Sequence, residues 1–252
     1  MIHSREWKLV ALLASGFVFL AFSVELAAQT SSSLHQRARA ANSGIRDISA
    51  RMVVLDADKK NVRNINPSLI EALNIKEMDV FYRSPDKFRA EAMAKGLQLT
   101  WILNGDRQLI SVPGMMIRKM EDIGRNPGRK RNSLDLGFVS DQLWQDFNVT
   151  VISQSKDAHR LRLTPKVAEG KRHELIWVEP ETMKLLRRDR HSRSGTMSVR
   201  YTYGNHRKFR NLAVAQQAKV YDPNGEFAGT IEYRNLKINS GLAESLFSLF
   251  LR

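Results

Sequence analysis

The side chains that most often carry out chemistry are scattered along this sequence rather than grouped. The chain has no cysteine, which excludes thiolate nucleophiles, thiolate zinc sites, disulfides and a lipid-modified cysteine. It also lacks the nucleophile-elbow, zinc-protease, Walker and dinucleotide-binding motifs. Carboxylates such as Glu91, Asp106 and Glu232 would have to meet in space to work as acid and base, and their spacing gives no sign of it.

The histidines beyond residue 28 are equally isolated, because none lies two or four residues from another, as metal ligands often do. The glycines of residues 124–130 are wrongly spaced for a phosphate-binding loop, so we interpret this segment as a mobile basic loop. The sequence therefore predicts no enzyme, no cofactor and no metal site. An exported enzyme stays an alternative, which two carboxylates or histidines converging in a cleft would support. The histidines concerned are His35, His159, His173, His191 and His206.

The apolar side chains indicate a different function, the binding of a hydrophobic ligand. Trp101 and Trp177 lie in alternating segments, and Met115, Met116 and Met120 lie in a long connection, where methionine adapts to irregular ligands. The alternative interpretation is that these side chains form an ordinary hydrophobic core. A curved sheet with a methionine-rich flap would make a suitable receptacle. The predicted ligand-lining residues are Phe81, Met93, Leu99, Trp101, Leu103, Met115, Met116, Leu143, Trp144, Trp177 and Tyr201.

The elements that would position these side chains are mostly strands. About ten or eleven short alternating segments are separated by hairpin signals, of which Asn104-Gly105 is the strongest. Successive hairpins predict an antiparallel, mainly β (α+β) fold, and so many strands must curl or close. We predict helices at residues 30–41, 138–147 and 242–251. Residues 113–135 form a connection long enough to be functional or disordered, and with residues 138–147 they are the candidate moving parts.

The first 28 residues have the pattern of a secretory signal peptide. Arg5 and Lys8 precede an uncharged apolar run, Leu9–Val24, and Leu26–Ala28 supplies small residues at a cleavage site. The alternative is an uncleaved anchor, although sixteen residues is short for a spanning helix of roughly 20. Either way residues 29–252 form a single exported domain, which we expect to be periplasmic.

The chain is strongly basic, with 40 Lys and Arg against 26 Asp and Glu, a net charge of +14. Export removes most of the case for nucleic acid and leaves anionic lipid headgroups, lipopolysaccharide and wall polymers as partners. A basic cluster in the last third of the chain is either a solvated face or a surface that docks on anionic headgroups. The docking candidates are Lys184, Arg187, Arg188, Arg190, Arg193, Arg207, Lys208 and Arg210.

Several stretches, in order from about residue 34 to the C-terminus, resemble the LolA-like superfamily of outer-membrane lipoprotein-sorting proteins. The first is Tyr82–Arg89 and the second is Leu103–Asp106 in the following hairpin. Each motif is weak alone, but the ordered set together with a signal peptide is moderately specific. The remaining stretches are Leu161–Lys166, Leu175–Thr182, Tyr221–Gly225 and Ile231–Asn239.

This resemblance implies an unclosed, strongly curved antiparallel half-barrel whose mouth holds helical lid elements. It implies a soluble carrier that holds lipoprotein acyl chains on its concave face and crosses the periplasm, without covalent chemistry. The carrier would be a monomer that meets an inner-membrane releasing complex and an outer-membrane acceptor. Arg83 best matches the arginine that latches the lid in the family, although Ser84 intervenes between it and Pro85. The alternative is a periplasmic sensor or adaptor on the same fold, binding an anionic envelope polymer or a membrane protein.

Overall fold

A computed structural model describes residues 31–125, 130–167 and 170–250 of the chain. The predicted signal peptide and part of the predicted basic loop lie outside these ranges. The described residues form one antiparallel sheet of thirteen strands, which is curved and does not close. The predicted mainly β, unclosed architecture is therefore confirmed.

The strands run in the order β6-β5-β4-β3-β2-β1-β13-β12-β11-β10-β9-β8-β7 across the sheet. Each half is a meander of hairpins, and the two halves meet where β1 pairs with β13. The strands are β1 Asp47–Ala57, β2 Glu77–Arg83, β3 Lys87–Ala94, β4 Leu97–Asn104, β5 Arg107–Val112, β6 Ile117–Asp122, β7 Phe147–Gln154, β8 His159–Pro165, β9 His173–Val178, β10 Leu185–His191, β11 Met197–Phe209, β12 Leu212–Tyr221 and β13 Phe227–Ile238.

The strand order forces one connection to cross the whole sheet. β6 is the strand at one edge and β7 the strand at the other, yet they follow each other in the chain. The connection between them therefore has to span one face from edge to edge, and its described residues, 123–125 and 130–146, are called the crossover from here on. This topology explains why the sequence has so long a connection between two hairpin-rich halves.

Helical structure is sparse and lies outside the sheet. Helix α1 covers residues 31–42 and ends before Gly44, whose φ of 77° is left-handed, as the sequence predicted. Helix α2 is Lys59–Ile65, helix α3 is Leu69–Ala72, and α4 is the single turn Leu143–Asp146. Short 3-10 turns lie at Pro113–Met115, Ser133–Leu136 and Glu244–Phe247. Among the residues that the structure describes, no helix has the length and apolar character to cross a bilayer.

Three sequence predictions about elements are wrong. The predicted loop at residues 113–135 contains β6, which was missed because nearly all its side chains are exposed and therefore do not alternate. The predicted helix at residues 138–147 is reduced to the one turn of α4, because its apolar residues follow the shape of the face they cover. The predicted C-terminal helix is only a 3-10 turn within residues 242–250.

Two apolar clusters lie on one face of the sheet, called the inner face from here on. Cluster one joins strands β7–β12 to α1 and to Leu134, Val139 and Leu143 of the crossover. Cluster two joins β1–β4, β12 and β13 to Ile123, Leu136 and Phe138 of the crossover. Because Leu134 and Leu136 point into different clusters, the crossover seals both halves of the inner face.

The C-terminal tail, residues 240–250, covers the outer face of the β2–β6 half. Phe247 is fully buried there, and Ile102 and Leu109, which alternate away from the inner face, are buried as well. Asp47 fixes the start of the tail, because its carboxylate accepts hydrogen bonds from the backbone N–H groups of Ser240 and Gly241. The sheet is thus covered on the inner face by α1 and the crossover, and on half of the outer face by the tail.

Candidate functional site

Six of the predicted ligand-lining residues lie on the inner face or its cover. Leu103 belongs to cluster two, and Trp101 packs against it. Leu143 belongs to cluster one, and Trp144 and Tyr201 pack against it. Leu99 is the sixth, because its register with Ala92 places it on the same face as Trp101 and Leu103.

The other five predicted lining residues lie elsewhere, and these placements are corrections. Phe81 and Trp177 point to the outer face, because their neighbours on either side belong to the inner clusters and successive strand residues alternate. Met93 is an outer-face residue as well, 61% exposed. Met115 and Met116 lie at the turn between β5 and β6, and Met116 is 95% exposed. The sequence showed the alternation of these strands but not which phase faces inward.

The crossover is the element that occupies the inner face. Its 3-10 turn begins at Asn132, whose side chain accepts a hydrogen bond from the backbone N–H of Leu134, while Asp135 accepts one from the N–H of Asn132. Gly137 ends the turn in the left-handed region, with φ 75°, and its carbonyl accepts a hydrogen bond from the N–H of Ala215 in β12 at 2.9 Å. The turn buries its apolar side chains against the sheet.

A buried arginine on the inner face ties the crossover to the sheet. Arg188 of β10 is 2% exposed. It binds Glu174 of β9 in a bidentate pair, with Nε–Oε2 of 2.6 Å and Nη2–Oε1 of 3.0 Å. Its Nη1 donates to Oδ1 of Asp135 in the crossover at 2.9 Å. Each carboxylate has a second arginine, since Arg190 lies 3.4 Å from Glu174 and Arg131 lies 3.4 Å from Asp135.

Arg188, Glu174 and Asp135 stay charged although they are buried. Burial alone would raise the pKa of Asp135, but the Arg188 and Arg131 guanidinium groups hold that pKa well below its usual range. Glu174 behaves in the same way, because Arg188 and Arg190 outweigh burial and lower its pKa. Burial would lower the pKa of Arg188, and the two carboxylates raise it instead. The crossover is therefore attached through an ion pair and not through a neutral contact.

Two tyrosines and a tryptophan on the inner face add further contacts to the crossover. The hydroxyl of Tyr203 donates to the carbonyl of Leu134 at 3.0 Å, and the hydroxyl of Tyr233 donates to the carbonyl of Asp135 at 2.7 Å. The guanidinium of Arg131 lies 5.1 Å from the ring centroid of Trp101. The crossover is thus bound mainly by side chains, with few backbone pairings to the sheet.

Two buried indole N–H groups, on or beside the inner face, donate no hydrogen bond within the described ranges. Nε1 of Trp101 and Nε1 of Trp144 are buried, and neither has a hydrogen-bond partner within the described ranges. Trp144 stacks on His35 of α1, with ring centroids 4.9 Å apart. A buried donor without an acceptor costs about 1–3 kcal/mol. These groups would gain from a ligand that brings oxygen atoms to the inner face.

Arg83, the predicted lid latch, contacts the C-terminal tail instead of the crossover. Its Nη1 donates to the carbonyl of Leu242, and its Nε lies 3.3 Å from the carboxylate of Glu244. Arg89 similarly donates to the carbonyl of Leu246 at 2.7 Å. The latch prediction is corrected because Arg83 lies on the outer phase of β2, while Arg188 supplies the contact to the inner cover.

The basic cluster does not form a single surface, which corrects the docking set. Arg188 is buried, Arg190 faces Glu174 on the inner face, and Arg187 pairs with Asp189 on the outer face with its guanidinium 4.2 Å from the Trp177 ring centroid. Lys184 lies 3.2 Å from Glu179. The exposed candidates divide between the two ends of β11, with Arg193 at the β10–β11 turn and Arg207, Lys208 and Arg210 at the β11–β12 turn.

The sheet register brings together two histidines that are isolated in the sequence. His173 and His191 lie directly opposite each other on β9 and β10, with stacked rings 4.1 Å apart. Burial, and then the neighbouring His173, lower the pKa of His191. Within the described residues no three His, Asp or Glu side chains are placed to hold a metal ion. Only the strand pairing could have revealed this pair.

Two open cavities lie at the rims of the sheet. One of about 430 Å³ is lined mainly by polar side chains of β1–β4, including Arg51, Glu77 and Gln98. The other, of about 190 Å³, lies where the β2–β3 and β4–β5 turns meet the crossover, beside Lys130 and Lys166. The second cavity therefore borders the crossover directly, with Ser133 and Gln142 of the crossover in its lining.

No protein-family model and no curated protein matches the sequence. Several solved structures, in contrast, match this chain in fold. A domain classed as an outer membrane lipoprotein-sorting protein, from Vibrio parahaemolyticus, matches at 15% identity over 88% of this chain and 96% of that chain, with a TM-score of 0.59. A DUF1329 family protein from Desulfovibrio piger matches at 13% identity over 86% and 96%, with a TM-score of 0.54.

A LolA superfamily protein from Nitrosomonas europaea also matches, at 13% identity over 86% of this chain and 96% of that chain, with a TM-score of 0.53. None of these three is described as an enzyme. Identities this low bear on the fold alone. The single open sheet, its helical cover and these structural matches together give the chain a LolA-like fold.

Proposed function

We propose that this protein is an exported, periplasmic lipid carrier that receives acyl chains on its inner face when the crossover moves aside. Its cargo would be a lipoprotein or a related lipid, taken from an inner-membrane complex and delivered toward the outer membrane. The observation that carries the proposal is the inner face itself. It is lined by apolar side chains from both halves of the sheet and covered by a segment that belongs to neither half.

Burying the apolar side chains of the crossover and burying an acyl chain in their place release similar amounts of free energy. The crossover buries Leu134, Leu136, Phe138, Val139 and Leu143. At about 1.5–3 kcal/mol for each side chain, their burial contributes roughly 8–15 kcal/mol. An acyl chain of about 16 carbons gains roughly 12 kcal/mol at about 0.8 kcal/mol per buried CH₂. Because the two terms are similar, a ligand can displace the crossover and the crossover can later displace the ligand.

A reversible lock on the crossover tests this proposal. A Cβ built at Gly137 would lie 2.8 Å from Cβ of Ala215, so the crossover must shift by about 1 Å to reach the separation of about 3.8 Å that a disulfide needs. Since the chain has no cysteine, Gly137→Cys/Ala215→Cys would form a single defined cross-link. Binding of a fluorescent fatty acid to the exported protein is measured before and after reduction. We expect saturable binding when the pair is reduced and none when it is oxidised.

The same sample in its two redox states is its own matched control. Equal binding in both states would place the ligand elsewhere on the molecule and contradict the proposed site. The absence of saturable binding in the wild-type protein, with no lipid in native mass spectra, would remove the carrier function altogether. A co-purified lipid or lipopeptide would identify the cargo class.

A second candidate function is a sensor or adaptor on the same fold, binding an anionic envelope polymer or a membrane protein. The filled inner face favours it, since the described arrangement leaves no large apolar space beneath the crossover. Such a protein would bind through its outer surface. Binding of lipopolysaccharide that is unchanged in the oxidised lock would therefore support this candidate over the carrier.

A further inference from the structure

We propose that the inner face selects acyl ligands that carry an anionic headgroup, and that Arg188 binds this headgroup in the place vacated by Asp135. The ligand class is a single- or double-chain lipid ending in a carboxylate or a phosphate. The inference rests on the proposed function and names the substrate class of that same site. Its evidence is the arrangement of charge beneath the crossover.

With the crossover in place, Arg188 contacts two carboxylates, that of Glu174 in the sheet and that of Asp135 in the crossover. Glu174 belongs to β9 and stays on the inner face, whereas Asp135 leaves with the crossover. Arg131 leaves as well. The uncovered inner face then keeps Glu174 beside Arg188, while Nη1 of Arg188 loses its acceptor.

A neutral ligand would leave this charged donor without an anionic acceptor under apolar chains, which is costly. An anionic headgroup restores the lost contact, because Nη1 of Arg188 points at the position of the Asp135 carboxylate, 2.9 Å away. Guanidinium groups suit both carboxylate and phosphate oxygens. Tyr203 and Tyr233, whose hydroxyls now donate to carbonyls of the crossover, would be released toward the same headgroup.

The test compares ligands with one chain and different headgroups, using the exported full chain. Cis-parinaric acid and its methyl ester share a fluorescent chain but differ in charge at pH 8. We expect the wild-type protein to bind the acid at least about tenfold more tightly, the effect of a hydrogen bond to a charged group. Competition by lysophosphatidic acid against bound cis-parinaric acid tests whether a phosphate can replace the carboxylate as the anion, and uncharged monoacylglycerol is its matched control. Acetate and inorganic phosphate should not compete.

Two variants identify the residue. Arg188→Met removes the cation while Glu174 keeps Arg190 and Asp135 keeps Arg131, so we expect the acid and the ester to bind equally. Asp135→Asn weakens the cover but leaves Arg188 in place, so both ligands should bind more tightly with their ratio preserved. This second variant keeps the test informative where the first fails to fold.

The outcomes separate the two proposals. Equal affinity of the wild-type protein for acid and ester overturns the charge selection and leaves the carrier function standing. A preference that survives in Arg188→Met overturns the assignment to Arg188. Competition by acetate or phosphate alone overturns the requirement for a chain. If neither probe binds the wild-type protein, the carrier function itself is wrong.

Discussion

At the scale of single residues, the decisive feature is a charge network in the middle of an apolar face. Arg188 lies in the run Arg187–Arg190, which alternates across the sheet so that two arginines face inward and Arg187 and Asp189 face outward. The sequence showed the basic run but not its partners, because Glu174 and Asp135 are distant in the chain and meet Arg188 only through strand pairing and the crossover. The partners of Arg188 therefore follow from the pairing of the strands and not from the residue types in the run.

Two histidines make stability depend on pH near neutrality. Burial lowers the pKa of His206, whose Nε2 lies 2.8 Å from the carbonyl of Leu185, and burial together with His173 lowers that of His191. Both are neutral in folded and unfolded chains at pH 8. As the pH falls through 6.5 the unfolded chain takes up protons first, so the free energy of unfolding decreases.

Urea unfolding at pH 8, 7, 6 and 5.5 measures this effect. The variant His206→Gln keeps a donor for Leu185 without titrating, and we expect its stability to decline less over this range. His191→Gln should act in the same direction. Parallel pH profiles for the wild type and both variants would contradict the assignment.

At the scale of elements, the two covers of the sheet differ in how they are held. The crossover is held by a buried arginine that pairs with Asp135, whereas Arg83 and Arg89 are partly exposed and donate to backbone carbonyls of the tail. Each cover also has a buried aromatic side chain, Phe138 in the crossover and Phe247 in the tail. The sequence predicted hairpins such as Asn104-Gly105, since turn residues mark them, and it predicted that a long connection, functional or disordered, follows residue 112. It did not predict β6 or the irregular cover, because their shapes follow the surfaces they contact rather than a local period.

The tail contributes to stability through its anchor. We expect Phe247→Ala to lower the free energy of unfolding by about 3–5 kcal/mol, because it leaves a cavity over Ile102 and Leu109. Phe250→Ala is a matched control in the same tail, since Phe250 is 76% exposed, and it should change stability by less than about 0.5 kcal/mol. Denaturant unfolding of both variants measures the difference, and equal losses would show that the tail is not anchored through Phe247.

At the scale of the whole molecule, the antiparallel, unclosed fold could be predicted because most strands pair with their sequence neighbours through short turns. The pairing of β1 with β13 could not, since nothing local in either strand specifies a partner so distant in the chain. The net charge was plain from composition, but its division between buried pairs and exposed ends of β11 depended on the fold. The charge that remains exposed has a testable consequence.

Docking on anionic membranes should depend on the β11–β12 end of the sheet. Each exposed basic residue near such a surface contributes about 1 kcal/mol, so replacing Arg207, Lys208 and Arg210 by Gln should weaken vesicle association on the order of 100-fold. Cosedimentation with phosphatidylglycerol vesicles at low and high salt measures it. The control changes the same charge on α2, with Lys59, Lys60 and Arg63 replaced by Gln. Equal losses in both triples would mean that net charge alone, and not this surface, drives association.

The pairing of β1 with β13 has a consequence for the speed of folding. Ile48 finds its partner in Ile238, near the opposite end of the described chain, so the centre of the sheet closes only after nearly the whole polypeptide is present. Each hairpin meander can form from local contacts, but joining them carries the entropy of closing a very long loop, and such non-local topologies fold slowly. Until that step the apolar inner edges of both halves are open to solvent. We therefore expect refolding to be slow, with a yield that falls as the protein concentration rises, because the exposed apolar edges can meet between molecules before they meet within one.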